Sequence, residues 1–558
     1  MSQGEHPHSR AMGSLAALLL VGILLQLAGC SPPPDPVTCT HGTSNCTVTN
    51  TYGSFTDRII CHAANVVYPS TEQELVAAVA AAASAKRKMK VATKHSHSGP
   101  KLACPGGSQG TIISTSRLNR TVRVDAERQL ITVESGMVLR DLIQAAAAAG
   151  LSLPHSPNWY GLTIGGLLAT GAHGSGLWGK GGAVHEYVVG LRIVTPAPAC
   201  HGFAMVRELG ADHPDLDAAK VSLGVLGVVS QVTLALQPLF KRSVTFLRRN
   251  DSDFTARVAE WGRLHEFADM IWLPQHGSVI YRQDDRVDVA TPGNGLSDLA
   301  LFRSNPTALL VRARAAEERL QENGTDIARC AAEQEGATRQ LQALGFTNDV
   351  VSFTGYPIVG YQHRIQASGS CIDGPEDGLL SHPRHLPVSA FVADMQRLRD
   401  LKPAAFCALL RTGVVLRYPE DSVDVDIIFY RSHTDGMPRA HADVVDEIEQ
   451  MALGKYGGLP HWGKNRNFAF DGVIARYPKA NKFLKVKNMY YPDGLFSSEW
   501  TDQVLGVNGT PNIIKKRCAI EGLCVCSDDL HCAPEQGYFC RPGKVYTNAR
   551  FCSSTEEY

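Results

Sequence analysis

The segment that decides the fold is residues 161–182, GLTIGGLLATGAHGSGLWGKGG, in which nine of 22 residues are glycine. Each glycine in a helix or strand costs about 1 kcal/mol relative to alanine, so this composition predicts an irregular loop. Such a loop lets a dinucleotide pyrophosphate or a flavin edge approach inward-turned backbone N–H groups. The spacing matches neither the Rossmann fingerprint nor a Walker A motif. A glycine-rich surface loop without a ligand is the alternative interpretation.

Around this segment, residues 57–240 alternate between strand-like and helix-like stretches. Residues 66–93, VVYPSTEQELVAAVAAAASAKRKMKVAT, have the pattern of a strand, a helix and a strand, with Ser70 or Thr71 as the helix cap. Further apolar strands are predicted at 129–136, 186–195 and 227–236. The pattern indicates an α/β unit interrupted by glycine-rich loops.

The character of the sequence changes after about residue 241. A long helix is predicted over 306–344, and strands such as VDVDIIFYR at 423–431 follow a polar stretch. We therefore expect a second, α+β domain over 241–515 and a cysteine-rich tail over 516–558.

The overall composition is that of a globular protein with more than one domain. The chain has 558 residues, of which 44% are hydrophobic and 19% charged. Lys+Arg and Asp+Glu each number 54, so the formal net charge is zero. This balance does not indicate nucleic acid or an acidic membrane surface as a partner.

The N-terminus has the features of a secretory signal peptide, assigned to residues 1–30. The apolar run Leu15–Leu25 is too short to span a bilayer, and Ala28 and Cys30 are small residues in A-x-A-like spacing. Two alternatives are a lipidated Cys30 and an uncleaved membrane anchor. A Cys/Pro/Thr-rich leader follows at 31–56, and we expect a secreted protein without a stable membrane span.

Cysteine usage agrees with an oxidising compartment. Six of the 15 cysteines fall in the last 41 residues, and their spacing lacks the paired C-x2-C geometry of structural zinc sites. We therefore predict disulfides rather than a metal site in this tail. Sequons that permit glycosylation occur at Asn45, Asn119, Asn250, Asn323 and Asn508.

Several motifs in a fixed order resemble a known family. TIGG at 163–166, GAHGS at 171–175 and GVLGVVS at 224–230 follow KHSHS at 94–98, and PHWGK stands at 460–464. In this order they resemble the vanillyl-alcohol-oxidase family of flavoproteins, and PHWGK resembles its sugar-lactone oxidase branch. With the secretory start and the cysteine-rich tail, the chain is similar to plant-type L-gulono-1,4-lactone oxidases from about residue 57 onward.

The resemblance implies an α+β fold that binds FAD. A two-subdomain FAD-binding domain over 57–240 would precede an α+β substrate or cap domain over 241–515 and the disulfide-rich tail over 516–558, with the flavin at the junction of the two domains. For Gly227, which is among the contacts named next, a structural role in a packing turn is the alternative. The implied FAD contacts are Ser98, Thr163, Gly165, Gly166, Gly171, His173, Gly174, Ser175, Gly227 and Val228.

The resemblance also implies a role for KHSHSGP at 94–100. Relatives attach the flavin covalently through the histidine of a G-x-G-H-S motif, and His97-Ser98 is the match here. Lys94 and Ser96 replace the motif's glycines, so covalency through His97 stays open. A metal site lacks a third ligand in register, and a serine hydrolase elbow is absent. Two solvated loop histidines remain the general alternative.

Substrate chemistry is assigned by the same resemblance. Oxidation of a lactone C2 hydroxyl requires cations that stabilise negative charge on oxygen and on the flavin. Arg417 and Lys464 are the candidates, with His461 as a further catalytic contact. The family's strand usually carries Glu-x-Arg, but Val415 stands at the glutamate position. Another aldonolactone, sugar or alditol substrate therefore remains an alternative to L-gulono-1,4-lactone.

Pro157 bears on the electron acceptor. Related dehydrogenases carry an alanine at this position that hinders oxygen, whereas oxidases tend to have Gly or Pro, so Pro157 favours O2 as acceptor with H2O2 as product. A dehydrogenase is the nearest alternative. A secreted, cysteine-rich binding protein that retains the fold without turnover is an alternative of another class.

Overall fold

A computed structural model describes residues 35–48, 59–93, 100–157, 161–258, 260–297, 346–348, 353–366, 377–378, 388–408, 412–417, 422–429, 432, 434–491 and 493–555. The predicted signal peptide, the helix predicted over 306–344 and the segment at 94–99 lie outside these residues. Among the described helices, none is long and apolar enough to cross a membrane.

The first subdomain is a five-stranded sheet with one connecting helix. Its elements are β1 Val37–His41, β2 Ser44–Val48, β3 Cys61–Val67, β4 Met89–Val91, β5 Thr111–Ile113 and helix α1 Glu72–Ser84. The order is β1-β2-β3-β5-β4, with β3 and β4 parallel to β5. Thr71 caps α1, as predicted, because its Oγ1 accepts a hydrogen bond from the Glu74 N–H at 3.1 Å. The β1–β2 hairpin extends the sheet N-terminally of residue 57.

The second subdomain is an antiparallel five-stranded sheet, ordered β10-β9-β11-β7-β6. Its elements, with the short β8–β12 pair, are β6 Thr121–Asp125, β7 Leu130–Glu134, β8 Leu151–Ser152, β9 Val188–Pro196, β10 Ala204–Leu209, β11 Val228–Ala235, β12 Gln237–Pro238, α2 Leu139–Ala148, α3 Ile164–Thr170 and α4 Leu216–Lys220. Alternate residues of β11 are buried, which is the period-2 pattern of a strand with one face on the core.

A seven-stranded sheet begins at Lys241, and its order is β18-β13-β15-β14-β20-β21-β19. The elements of this region are β13 Lys241–Asn250, β14 Asp269–Leu273, β15 Ser278–Val287, β16 Leu296–Ser297, β17 Phe346–Thr347, β18 Ile358–Tyr361, β19 Asp377–Gly378, β20 Thr412–Arg417, β21 Ser422–Phe429, α5 Phe254–Arg257, α6 Trp261–Leu264, α7 Gln362–Ile365, α8 Val388–Leu401 and α9 Pro403–Ala408. One face of the sheet packs against helices through Met270, Trp272, Phe391 and Phe406. We call this sheet with its helices the cap domain.

After the cap sheet, one helix still packs in the cap core through Val444 and Ile448, and the chain from Leu459 then returns to the second subdomain. Its elements are α10 Ala442–Gln450, α11 Ala480–Tyr490, α12 Glu499–Val504, β22 Tyr538–Pro542 and β23 Arg550–Ser554. Leu459, Phe470 and Val486 join the apolar core of the second subdomain, although the sequence placed them in the cap domain. The tail is held by disulfides, as predicted: Cys518–Cys524, Cys526–Cys540 and Cys532–Cys552.

Buried polar side chains fasten the cap domain to the second subdomain. The Gln362 Nε2 donates to the Leu153 carbonyl at 3.2 Å and to the Pro154 carbonyl at 2.5 Å. Arg242 donates to the Gln362 Oε1 at 2.8 Å and forms a buried two-bond ion pair with Asp284. Because each of these groups has a partner, pairing offsets the cost of removing it from water, and the contacts specify one relative position of the two sides of the junction.

His155 ties this junction to the glycine-rich segment. Its ring is buried beside Phe267, with the ring centroids 4.7 Å apart, and its Nδ1–H donates to the Ser175 carbonyl at 3.1 Å. Burial, with the nearby Arg242 charge, lowers the pKa of His155 to about 3. The imidazole is therefore neutral in the folded protein at every pH above that value.

This burial predicts an acid-sensitive contribution to stability. Between pH 6.5 and pH 3 the unfolded chain protonates His155 whereas the folded chain does not, so the free energy of unfolding falls as pH falls. At pH 4 this protonation lowers the free energy of unfolding by about 3 kcal/mol relative to neutral pH. We expect His155→Gln to lower stability at pH 7, because the Ser175 contact is disturbed, and to remove most of this pH dependence. Urea unfolding at pH 7 and pH 4 measures both effects.

The matched control is His201→Gln, since His201 is exposed on the surface. This variant should keep the wild-type pH dependence. If His155→Gln also kept it, His155 would be charged in the folded protein and the proposed burial effect would be wrong.

Candidate active site

A cleft of about 280 Å³ lies where the two subdomains and the cap domain meet. The glycine-rich segment lines one side, and further lining residues come from β4, β11, β14, β15, the PHWGK loop and the segments around Thr115, Ser135 and Ser222. Its polar lining residues are Lys90, Thr93, Thr115, Ser135, Thr163, Thr170, His173, Ser175, Ser222, Asp269, Arg282, His461 and Lys464.

The first half of the glycine-rich segment is helical rather than irregular, contrary to the sequence prediction. Helix α3 begins after Thr163, whose Oγ1 accepts a hydrogen bond from the Gly166 N–H at 3.3 Å, and ends at Gly171, which has φ 73°. Burial of Ile164, Leu167 and Leu168 offsets the glycine cost. The apolar residues within the segment therefore decide the conformation of this half.

The second half runs as an extended loop packed closely on residues 155–156. A Cβ on Gly174 would lie 2.5 Å from the Ser156 carbonyl oxygen, and one on Gly176 would lie 2.5 Å from the His155 ring. Gly174 is required by contact with the backbone of residue 156 and Gly176 by contact with the His155 ring, in addition to any ligand. The Ser175 hydroxyl, between them, donates to the Ala268 carbonyl at the start of β14. This bond joins the loop directly to the cap sheet.

Two histidines face each other across the cleft. His173 comes from the glycine-rich loop and His461 from the PHWGK loop, and their ring centroids are 6.3 Å apart. The Gly463 N–H donates to the His461 Nδ1 at 3.0 Å, so the neutral ring carries its proton on Nε2. The His173 Nδ1 instead donates to the Gly174 carbonyl at 3.0 Å, which leaves its Nε2 as an acceptor. In the neutral tautomers that these bonds select, the proton of His461 is on Nε2 and the proton of His173 is on Nδ1.

A buried network positions His461. The Asn465 Oδ1 accepts from the His461 N–H at 2.8 Å, and the Asn465 Nδ2 donates to the Glu449 Oε1 at 2.9 Å. The other Glu449 oxygen pairs with Arg466, which also binds Asp446. Because helix α10 carries both carboxylates, the loop that bears His461 is fixed to a rigid element.

Two lysines bring positive charge to the cleft lining. Lys464 lies in the PHWGK loop, and its N–H donates to the His461 carbonyl at 3.1 Å. Lys90 is almost completely buried in β4, with its Nζ 3.5 Å from the Leu223 carbonyl. Burial lowers the pKa of Lys90 to about 7. The Lys90 amine is therefore partly protonated near neutral pH. Lys90 was not among the site residues predicted from the sequence, although it lines the cleft.

An orphaned hydroxyl indicates that the cleft suits a polar cofactor. Ser135 lines the cleft, and within the described part of the chain its buried Oγ has no hydrogen-bond partner. A buried hydroxyl without a partner costs free energy, so such a group is satisfied when a ligand arrives. Gly224 lines the same cleft, and a Cβ there would meet no atom within 4 Å. Both features fit FAD, which brings phosphate and ribityl oxygens.

The cap sheet adds an ion pair to the lining that sequence analysis missed. Asp269 in β14 and Arg282 in β15 are opposite each other, and their Oδ2 and Nη2 are 3.0 Å apart. Burial raises the pKa of Asp269 above its usual value, against the effect of the Arg282 charge. The only signal in the sequence was a single charge at the start of the apolar strand DMIWL.

The structure brings together most of the site predicted from the sequence. Gly171 does not line the cleft and instead ends α3. Arg417 is the last residue of strand β20, for which only the backbone is described. His97 and Ser98 lie outside the described residues. The predicted residues that line the cleft are Pro157, Thr163, Gly165, Gly166, His173, Gly174, Ser175, Gly227, Val228, His461 and Lys464.

Three family models match separate parts of the chain. An FAD binding domain matches residues 63–198, a D-arabinono-1,4-lactone oxidase model matches 381–504, and the C-terminal domain of L-gulonolactone oxidase 2-like proteins matches 515–554. The first match covers the glycine-rich segment and the second covers PHWGK. The cofactor prediction is confirmed at the level of FAD binding.

Whole-chain comparisons agree with these matches. L-gulonolactone oxidase 2 of Arabidopsis thaliana is 50% identical over 97% of this chain and 97% of its own length. Probable L-gulonolactone oxidase 6 of the same plant is 51% identical over 94% of this chain and 93% of its own. A solvent-stable cholesterol oxidase has the same fold, with a TM-score of 0.66 at 15% identity over 86% of this chain and all of its own.

These comparisons confirm the predicted vanillyl-alcohol-oxidase type of fold and the FAD-dependent oxidoreductase class. The chain belongs to the L-gulonolactone oxidase family.

Proposed function

We propose that the protein oxidises the C2 hydroxyl of an aldonolactone, with L-gulono-1,4-lactone as the first candidate and L-ascorbate as the product. The observation that carries this proposal is the cleft, in which the glycine-rich backbone meets His461 and Lys464 from the PHWGK loop. Relatives that align with nearly the whole chain are named for this lactone.

The lining residues account for the charge changes of the reaction. FAD, when bound, accepts the hydride from C2. The hydroxyl proton must also leave, and the His173 Nε2 is an acceptor directed by its own Nδ1 hydrogen bond. The Lys464 ammonium stabilises negative charge on oxygen, and the His461 Nε2–H donates to a substrate or product oxygen. The resulting 2-keto-lactone tautomerises to ascorbate.

We further propose O2 as the electron acceptor, with the two electrons and two protons leaving as H2O2. Pro157 supports this choice, since it lines the cleft at the position where the resemblance associates alanine with poor oxygen access. Passage through the secretory pathway is part of the same proposal. The disulfides of the tail, together with Cys39–Cys46 and Cys61–Cys104, support an oxidising compartment.

A second candidate function is oxidation of another sugar or alditol. Val415 favours it, because a valine side chain has no atom that binds a substrate hydroxyl. The two candidates differ only in substrate, so one assay separates them.

We expect the purified, FAD-loaded protein to release H2O2 with L-gulono-1,4-lactone and less with D-arabinono-1,4-lactone, xylitol or D-glucose. Peroxide formation and oxygen uptake, measured over this panel, give kcat/KM for each substrate. Turnover of xylitol with none of the lactones would support the second candidate. No turnover of any of these compounds with any acceptor would contradict both.

Lys464→Met tests the assigned cleft in the same assay. Its kcat/KM should fall about 100-fold, because a cation that stabilises developing charge is lost. Lys485→Met is the matched control, since Lys485 is exposed on helix α11 and should leave kcat/KM unchanged.

We expect the flavin to be bound covalently through His97. Acid precipitation of the holoprotein should leave the yellow chromophore in the pellet, and His97→Ala should release it to the supernatant. Flavin in the wild-type supernatant would contradict covalency without affecting FAD binding. Flavin retained in the His97→Ala pellet would place the link on another residue.

A further inference from the structure

The cap sheet turns one of its faces towards the cleft, and Asp269 lies on that face. In β14, Met270 and Trp272 are buried against the cap helices, so the alternate residues Asp269 and Ile271 face the other way. Asp269 is among the residues that line the cleft, and 19% of its side chain remains exposed there. The Asp269 carboxylate is therefore accessible to a ligand bound in the cleft.

The glycine-rich loop is bonded to the residue that precedes Asp269. The Ser175 hydroxyl donates to the carbonyl of Ala268, the residue immediately before Asp269. His173 lies two residues before Ser175 and faces His461. Asp269 and the two histidines therefore line the same cleft, and the Ser175–Ala268 bond connects the segments that carry Asp269 and His173.

Arg282 holds the Asp269 carboxylate without saturating it. Arg282 is itself fixed, because its Nε and Nη2 donate to the Phe267 carbonyl at 3.1 and 2.6 Å. Its Nη2 lies 3.0 Å from the Asp269 Oδ2. A carboxylate has about four acceptor positions, so Asp269 retains capacity to accept hydrogen bonds from a ligand.

A purely structural ion pair is the alternative, and the neighbouring pair shows the difference. Arg242 and Asp284 have side chains only 4% and 1% exposed, form two hydrogen bonds and do not line the cleft. The Asp269–Arg282 pair has 19% and 18% exposed side chains, and both residues line the cleft. The Arg282 Nε also lies 3.4 Å from the Asp284 Oδ2, so the two pairs form one network, and only its Asp269–Arg282 end lines the cleft.

The sheet register adds a second observation. Asp269 is the cross-strand partner of Arg282 on one side and of Val415 in β20 on the other. Neighbouring strands lie about 4.8 Å apart, so Asp269 lies one strand away from Val415 in the row formed by Arg282, Asp269 and Val415. Val415 has no hydrogen-bonding side-chain atom, whereas Asp269 does.

We propose that Asp269, held by Arg282, binds a hydroxyl of the lactone and is a specificity-determining residue of the cleft. This inference rests on the proposed function. The ligand class is a polyhydroxylated lactone or sugar, whose hydroxyl donates to the carboxylate.

The test combines variants with substrates that lack single hydroxyls. Holoprotein variants Asp269→Ala and Asp269→Asn are compared with wild type on L-gulono-1,4-lactone and its 3-deoxy, 5-deoxy and 6-deoxy analogues. Dissociation constants come from anaerobic calorimetry with holoprotein whose flavin has been reduced with dithionite, so that binding is not followed by hydride transfer, and kcat and KM come from oxygen uptake. Asp269→Ala should weaken binding of the full lactone about 10- to 100-fold, the usual range for a hydrogen bond to a charged group. Asp269→Asn should weaken binding of the full lactone by a smaller factor, because the amide oxygen still accepts a hydrogen bond.

The decisive result is selectivity among the analogues. For the analogue that lacks the recognised hydroxyl, Asp269→Ala and wild type should bind within about twofold of each other. A structural role for Asp269 would weaken all ligands alike. Flavin content and thermal unfolding of both variants report misfolding, and Asp269→Asn, which keeps the side-chain shape, decides the case if the alanine variant fails to fold.

Asp400→Asn is the control, since Asp400 is exposed on the cap domain surface and should bind every ligand as wild type does. Unchanged binding of all ligands by the Asp269 variants, with wild-type turnover intact, would overturn this inference and leave the proposed function standing. If wild type bound none of the lactones, both would fail.

Discussion

The site depends on the bond that the Ser175 hydroxyl donates to the Ala268 carbonyl, together with the His155 contact to the Ser175 carbonyl. These two bonds hold one residue of the glycine-rich loop from opposite directions. Glycine on each side of Ser175 is required because a Cβ on Gly174 or Gly176 would meet residues 155–156 at 2.5 Å. The loop is thus placed by contacts inside the protein, before any cofactor contributes.

The same junction explains why the reactive groups come from distant parts of the chain. Gln362 and Arg242 fasten the cap sheet to residues 153–154, which brings β14 and β15 to the edge of the cleft. Helix α10, which packs in the cap core, anchors the loop of His461 through Asn465. The hydrogen-bonding and charged groups at the cleft are then oriented by bonds to rigid elements, as differential stabilisation of a transition state requires.

Much of the FAD-binding half could be predicted from the sequence, because its signals are local. The Thr71 cap, the period-2 pattern of β11 and the order of the glycine motifs are all readable over short windows. The helix at 164–170 was not predicted, because the sequence argument counted the free-energy cost of glycine in a helix but not the gain from burying Ile164 and Leu167.

Long-range features of the site could not be read in this way. Asp269 lines the cleft only because of a three-strand register with Arg282 and Val415, and no local pattern encodes that pairing. Likewise, the return of residues 459–505 to the second subdomain depends on tertiary packing of Leu459 and Phe470. The substitution of Val415 for glutamate raised a question about hydroxyl recognition, and our proposed answer lies on the adjacent strand.

The central claim is that one cleft binds FAD and an aldonolactone so that the lactone reduces the flavin. Anaerobic mixing of the holoprotein with L-gulono-1,4-lactone tests it most directly, because the reaction is followed in a single turnover without any electron acceptor. We expect the visible flavin absorbance to bleach in proportion to the lactone added and to return when oxygen is admitted. A flavin that stays oxidised in the presence of excess lactone would contradict it.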